Sequence, residues 1–230
     1  MIELIDVRKR YRRRQVLKGV SFTVRKGQIT CLIGVNGSGK STILKAIMRL
    51  VPIQEGQILI DGKGRSGADL YEKVAFIPDR LTMPPGMKLS DAIRFMQDYH
   101  RRWNEARSRE LMAFFRLDAS ERIGNLSKGM AAKFNLVLGL AQETDYVLMD
   151  EPFAGIDMFS REQISKVFTS DLMEGRGVLL TTHEIGEMEP LLDRALFLRD
   201  GVIVRDIDCE RLRDEMGKSV IDVMREVYAP

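Results

Sequence analysis

The chain has 230 residues, 44% of them hydrophobic and 30% charged, with a net charge of +3. That is enough for one α/β domain with a small inserted subdomain, and the composition is that of a soluble globular protein. No apolar run approaches the roughly 18 residues that span a bilayer, and a charge this small does not by itself argue nucleic-acid binding.

The amino terminus, Met1–Asp6, lacks a basic-then-apolar signal pattern, so any membrane role is expected to come through a partner. Ile2–Val7 and Ser21–Val24 read as antiparallel strands. Between them Arg8, Lys9, Arg10, Arg12, Arg13 and Arg14 surround Tyr11. A solvated hairpin is the plain reading of such a charge run; nucleotide, acidic lipid headgroups and nucleic acid remain as alternatives. Gln28–Ile33 is an apolar run of strand length. Ile43, Leu44, Ala46, Ile47 and Leu50 then recur at helical spacing until Pro52 stops the helix that begins at Lys40.

The stretch Gly34-Val35-Asn36-Gly37-Ser38-Gly39-Lys40-Ser41-Thr42 therefore joins a strand to a helix. Gly34, Gly37 and Gly39 permit backbone conformations that aim successive N–H groups at one anion. The helix start adds its unpaired N–H groups and the positive end of its dipole. Lys40 can reach β- and γ-phosphates and the Ser41 hydroxyl can ligate Mg²⁺, so the site suits a nucleoside triphosphate held by Asn36, Gly37, Ser38, Gly39, Lys40, Ser41 and Thr42.

Gln57–Ile60 is a further strand with a turn at Asp61-Gly62, and Val74–Ile77 is another, ending at Pro78-Asp79. Residues 79–142 read as a helical insertion. Its loop Arg80–Lys88 carries Leu81, Met83 and Met87, which serve either ordinary packing or the docking of a helix from a partner. Ser90 is expected to cap a helix with Leu89, Ile93 and Met96 on one face, and Asn104 a second with Leu111, Phe114 and Phe115. His100, beside Trp103, reads as structural.

Tyr146–Met149 has the composition of a central parallel strand, and Val178–Thr181 is another. Ala195–Leu198 and Val202–Val204 form a hairpin across Asp200-Gly201. Val220, Ile221, Val223, Met224 and Val227 make an apolar helical face in the tail, read as docked on its own domain in preference to a dimerisation element. Cys31 and Cys209 have no metal-like spacing and read as reduced thiols of a cytoplasmic protein. Asp150 falls at the carboxyl end of its strand, where open α/β sheets place ligands and where it can hold the Mg²⁺ that Ser41 touches. The adjacent Glu151 is suited to orient or deprotonate an attacking water.

Leu126-Ser127-Lys128-Gly129-Met130, opening a helix over Ala131–Ala141, resembles the LSGGQ signature of ATP-binding cassette (ABC) ATPases. With Gly34–Thr42, Tyr146–Glu151, Ala154-Gly155-Ile156-Asp157 and His183 in the family's order, the resemblance spans essentially the whole chain. It implies a P-loop NTPase core with a mixed sheet, an antiparallel β subdomain and an inserted α-helical subdomain. The expected boundaries are about 1–78 and 143–205 for the core with its β subdomain, 79–142 for the helical subdomain and 206–230 for a helical tail.

The resemblance also implies residue roles. Tyr11 would stack on adenine, Lys40, Ser41 and Thr42 would meet phosphate and metal, Asp150 would organise Mg²⁺, and Glu151 would be catalytic. His183 would sense the γ-phosphate and Asp157 would touch the opposite subunit. Ser127 and Gly129 would contact ATP held by the other protomer. Hydrolysis would then need a homodimer or heterodimer of cassettes, and the chain would sit in the cytoplasm, peripheral on the inner face of the membrane through a separate transmembrane permease.

Lys128 and Met130 depart from the common signature. Asp79 stands where the family usually has a metal-bridging glutamine and is expected to reach the metal through water. The implied activity is Mg-dependent ATP hydrolysis driving a drug or peptide exporter; the alternatives are a non-transport ABC ATPase acting on nucleic acid or ribosomes, and a small-molecule kinase or GTPase. The DNA-acting kind usually carries a very long coiled-coil insertion and the translation kind two cassettes, neither of which is present here. A guanine-reading N-K-x-D motif is also missing.

Overall fold

In the computed structural model, which describes residues 1–183 and 185–229 and residue 187 by its backbone, two sheets divide the work of building the site. β1 (Ile2–Tyr11) and β2 (Arg14–Val24) form a long antiparallel hairpin. After β3 (Ile29–Ile33) and α1 (Lys40–Ile47), β4 (Glu55–Ile60) pairs with the other edge of β1, giving a three-stranded sheet ordered β2-β1-β4. The chain continues through α2 (Gly67–Tyr71), β5 (Val74–Ile77), α3 (Leu89–Tyr99), α4 (Glu105–Phe114) and α5 (Lys128–Leu140). It closes with β6 (Tyr146–Asp150), α6 (Met158–Phe168), β7 (Gly177–Thr182), β8 (Arg194–Arg199), β9 (Val202–Asp208), α7 (Cys209–Met216) and α8 (Val220–Tyr228).

The second sheet has six strands in the order β5-β6-β7-β3-β8-β9, parallel from β5 to β8 with β9 antiparallel at the edge. Because β6, β7 and β3 are neighbours, the loops leaving their carboxyl ends emerge side by side, where a doubly covered sheet places its ligands. Alternation along these strands sorts side chains into two cores. Leu32, Leu148 and Leu179 pack with α1 (Ile43, Leu44, Ile47) beneath the three-stranded sheet. Cys31, Ile33, Val147, Met149, Val178 and Leu180 face the other way, toward α5, α6 and α8. Among the described residues no helix is long and apolar enough to cross a membrane.

Asp145, just before β6, binds the insertion to the core: its carboxylate accepts from Lys26 and Lys73 at 2.8 Å each and from Arg102, between α3 and α4, at 3.3 Å. Burial alone would raise this carboxyl, but the hydrogen bonds and charges of Lys26 and Lys73 outweigh it and hold it well below the usual carboxylate range.

Several local expectations change. The basic run is a hairpin as read, but its strands are longer than expected: β1 and β2 extend into it and only Arg12-Arg13 turn. Arg8 pairs with Asp6 at 3.0 Å and Glu55 at 3.4 Å, and Lys9 is buried. Ser90 is not a cap; Lys88 takes that position without a side-chain bond, because Leu89 and Ser90 donate their N–H groups to the carbonyls of Glu121 and Ala119. Asn104 does cap α4, its Oδ1 accepting from the Arg107 N–H at 2.9 Å. The signature helix starts at Lys128, with Ser127 as its cap, rather than at Ala131. Leu81, Met83 and Met87 are half-buried against the main core, which favours packing over docking. β9 runs on to Asp208, and α2 and α6 were not expected; α7 falls within the expected helical tail.

Candidate functional site

β3 delivers the chain to Gly34, and α1 begins with Gly39 as its left-handed cap (φ 116°). A Cβ on Gly34 would lie 2.6 Å from Ser38 Oγ and 2.8 Å from the Leu198 carbonyl oxygen, so only glycine fits where the loop leaves the sheet. The loop curls back so that Lys40, almost wholly buried, donates to the Gly34 carbonyl at 2.7 Å. Ser38 Oγ is buried with no protein partner, as expected of a hydroxyl built to meet a ligand oxygen.

β6 and β7 supply the acidic side. Asp150 and Thr181 are cross-strand neighbours. Asp150 Oδ1 accepts from Ser41 Oγ at 3.0 Å and from Thr181 Oγ1 at 2.7 Å. Thr181 Oγ1 in turn accepts from the Glu151 N–H at 3.0 Å, steadying Glu151 in a left-handed conformation (φ 48°) that a non-glycine residue seldom holds. The Glu151 carboxylate then bridges two groups: Oε1 lies 3.1 Å from Lys40 Nζ, and Oε2 lies 2.8 Å from His183 Nδ1.

These groups open on one cleft of 1080 Å³. It is lined by Tyr11 and Arg14 of the hairpin, by Asn36, Gly37, Gly39, Lys40, Ser41 and Thr42 of the loop and the start of α1, and by Asp79, Glu151 and His183. Lys9 Nζ sits 4.8 Å from the centroid of the Tyr11 ring, a cation–π contact that orients the ring. Asp150 lies buried below Ser41, and Asp79 is exposed, 3.9 Å from its neighbour Arg80.

Four expected site residues do not line this cleft: Ser38 and Asp150, which are buried, and Ser127 and Gly129. Ser127 is exposed and caps α5, its Oγ accepting from the Met130 N–H at 3.2 Å. Gly129 is buried against the start of α6: a Cβ there would lie 2.6 Å from Ser160 Oγ and 3.1 Å from Asp157 Oδ2. Ser160 donates both its N–H (2.9 Å) and its hydroxyl (2.8 Å) to Asp157, which holds that carboxyl below its ordinary value. The departing residue Lys128 does line the cleft.

Thr181 and Ser160 are the site residues that motif reading missed. The visible signal for Thr181 was a hydroxyl at the end of an otherwise apolar strand.

The hard oxygens of Ser41 and Asp150 fit Mg²⁺, which usually keeps only one or two protein carboxylates and takes the rest of its shell from water and phosphate. Among the described residues no group of three or more His, Cys, Asp or Glu could hold a metal ion. Cys31 and Cys209 are buried, which raises both thiols above their ordinary value, Cys209 to about 12, and leaves them inert at neutral pH.

Residues 17–154 match the protein family described as ABC transporter. The lipopolysaccharide export system ATP-binding protein LptB of Escherichia coli (strain K12) is 30% identical over 226 residues, covering 94% of each chain. The SkfA peptide export ATP-binding protein SkfE of Bacillus subtilis (strain 168) is 26% identical over 98% of each chain. A solved structure of the ATP-binding subunit of an ABC transporter superposes with a TM-score of 0.87 at 27% identity, over 99% of both chains.

Proposed function

The chain belongs to the ABC transporter family as an ATP-hydrolysing cassette, and from that premise we propose that it works in a pair, a homodimer or a heterodimer, that closes on MgATP and drives a separate transmembrane permease. The observation that carries this reading is the division of the site. Lys40, Ser41, Glu151 and His183 converge on one cleft, while Ser127, which caps the helix whose first residue Lys128 reaches that cleft, is itself exposed and outside the cleft lining, available to another copy.

In this reading Tyr11 stacks on adenine and Asn36, Gly37, Ser38, Gly39, Lys40 and Thr42 hold the phosphates. Ser41 and Asp150 hold Mg²⁺, with Asp79 approaching it through water; bound there, Mg²⁺ neutralises charge between the β- and γ-phosphates. Glu151 orients the attacking water, and His183 fixes the Glu151 carboxylate and senses the γ-phosphate. Ser127, with the α5 N-terminus and the backbone N–H of Gly129, completes the site of the opposite cassette.

The permease would place this cassette on the cytoplasmic face of the membrane. Since Leu81, Met83 and Met87 are engaged by the cassette's own core, the contact offered by the helical insertion is the exposed pair Phe95 and Tyr99 on α3, whose ring centroids lie 4.6 Å apart. Export of a drug-like or peptide cargo is the proposed direction, on the likeness to a peptide export and a lipopolysaccharide export subunit. Cargo would be read by the permease.

Glu151→Gln tests the proposal. With ATP, Mg²⁺ and any required companion subunit, turnover should fall by about 10²–10⁴-fold while ATP binding persists. A closed pair should then accumulate on size-exclusion chromatography. A variant that stays monomeric in saturating ATP while the wild type turns over would overturn it.

A further inference from the structure

We infer that Tyr228, on the C-terminal helix α8, is a positioning residue for the phosphate loop. Its hydroxyl lies 2.9 Å from the carbonyl oxygen of Ile33 and 2.9 Å from that of Leu198. A phenol carries one proton, which these two acceptors share. Ile33 is the last residue of β3, and the next residue, Gly34, is the one whose own carbonyl accepts from Lys40 Nζ. Leu198 O is the atom a side chain on Gly34 would strike. The phenol therefore grips the chain on both sides of the point where the loop leaves the sheet, one peptide away from the oxygen that holds the lysine.

α8 is itself tied down at both ends. Ser219 and Asp222 form a capping box at its start, and the Val220 N–H donates to Glu189 Oε1 in the 3₁₀ turn Gly186–Leu191, which follows His183 closely in sequence. At its far end the Val227 carbonyl accepts from Arg199 Nη1 at 2.9 Å, and the Tyr228 ring lies 6.3 Å from that of Phe197. Val220, Val223 and Val227 are buried beneath it. The tail thus spans from the segment after the histidine to the root of the phosphate loop. Burial pushes the phenol up to about 12, so it remains a donor at neutral pH.

The inference rests on the reading of the cleft as an ATP site, and the test separates the two. ATP is titrated into the purified full chain without Mg²⁺, and KM and kcat are measured with Mg²⁺ present and any required companion subunit. Tyr228→Phe keeps the ring and removes only the hydroxyl; it should raise the Kd and KM for ATP about three- to tenfold with little change in kcat. Val223→Ala leaves the phenol in place but loosens the same helix, and should lower the melting temperature without moving Kd by more than about twofold.

Unchanged ATP affinity in Tyr228→Phe, or an equal loss in both variants, would overturn the positioning role. A wild-type chain that binds no ATP, or a Lys40→Ala variant that binds as well as wild type, would overturn the cleft reading and this inference with it.

Discussion

Thr181→Val replaces one γ-atom by another of similar size and removes a hydroxyl that serves two partners at once. The site is fully buried, so neither partner can turn to water. Asp150 loses a 2.7 Å hydrogen bond to a charged acceptor, worth about 1.5–3 kcal/mol, and the Glu151 N–H loses its 3.0 Å acceptor, at about 1–3 kcal/mol for a buried donor left unsatisfied. Relaxation recovers part of this, so about 3 kcal/mol of destabilisation is expected, or roughly 6–12 °C in Tm for a chain of this length. The same N–H helps hold Glu151 in its left-handed conformation. A displacement of about 1 Å at a catalytic group costs on the order of 10²-fold in rate, so with Glu151 in its proposed role turnover should fall by roughly that factor. Differential scanning calorimetry and phosphate release under saturating MgATP read the two effects. A variant that melts within about 2 °C of wild type and keeps about half its turnover would refute the reasoning, because it would mean that the hydroxyl neither satisfies nor positions its partners.

Gly129→Ala places a methyl against Ser160 Oγ and Asp157 Oδ2; overpacking of about 1–3 kcal/mol should tilt the start of α5 and lower cassette pairing and turnover, while ATP binding to a single chain, measured by titration, stays near wild type. For Asp145 the folded carboxyl is depressed, so its ion pairs contribute stability above the unfolded pKa of about 3.9 and lose it as pH falls through the folded value. Melting temperature followed from pH 7 to strongly acid solution should therefore drop for wild type below about pH 4, and less steeply for Asp145→Asn, which starts lower at pH 7; parallel acid limbs would contradict the assignment.

The phosphate loop, Asp150 and Glu151 were legible because their chemistry is local: glycines, a lysine and a hydroxyl at fixed spacing, and carboxylates at the end of an apolar strand. What escaped depends on partners distant in sequence. Ser90 has the chemistry of a cap, but carbonyls from Ala119 and Glu121 take the first N–H groups of α3 and make a side-chain cap unnecessary. The hairpin was read, but its strands β1 and β2 run further through the basic segment than expected, because Arg8 finds Asp6 and Glu55 and because Lys9 is covered by packing invisible in a charge count. α6 was overlooked because its inward residues Ile164, Val167 and Phe168 begin only after Met158 and Phe159, which are exposed and blur the apolar stripe. Hydrophobicity alone could not say whether Leu81, Met83 and Met87 serve the core or a partner.

The same geometry bears on how ATP binding and the attacking group are linked in the proposed reaction. Lys40 cannot serve Glu151 at 3.1 Å and a triphosphate equally, since each additional anion draws on one ammonium with three donors, which Gly34 O at 2.7 Å and Val35 O at 3.4 Å already engage. As phosphate oxygens occupy the cleft, the lysine is drawn toward them and the hold of Glu151 Oε1 on it weakens, while Oε2 keeps its partner His183. The carboxylate is then still oriented but less neutralised, which is the condition for accepting a proton from water. In that proposed reaction, occupying the cradle and arming Glu151 as the base would be one event, carried by a single shared cation at the junction of β3, β6 and β7.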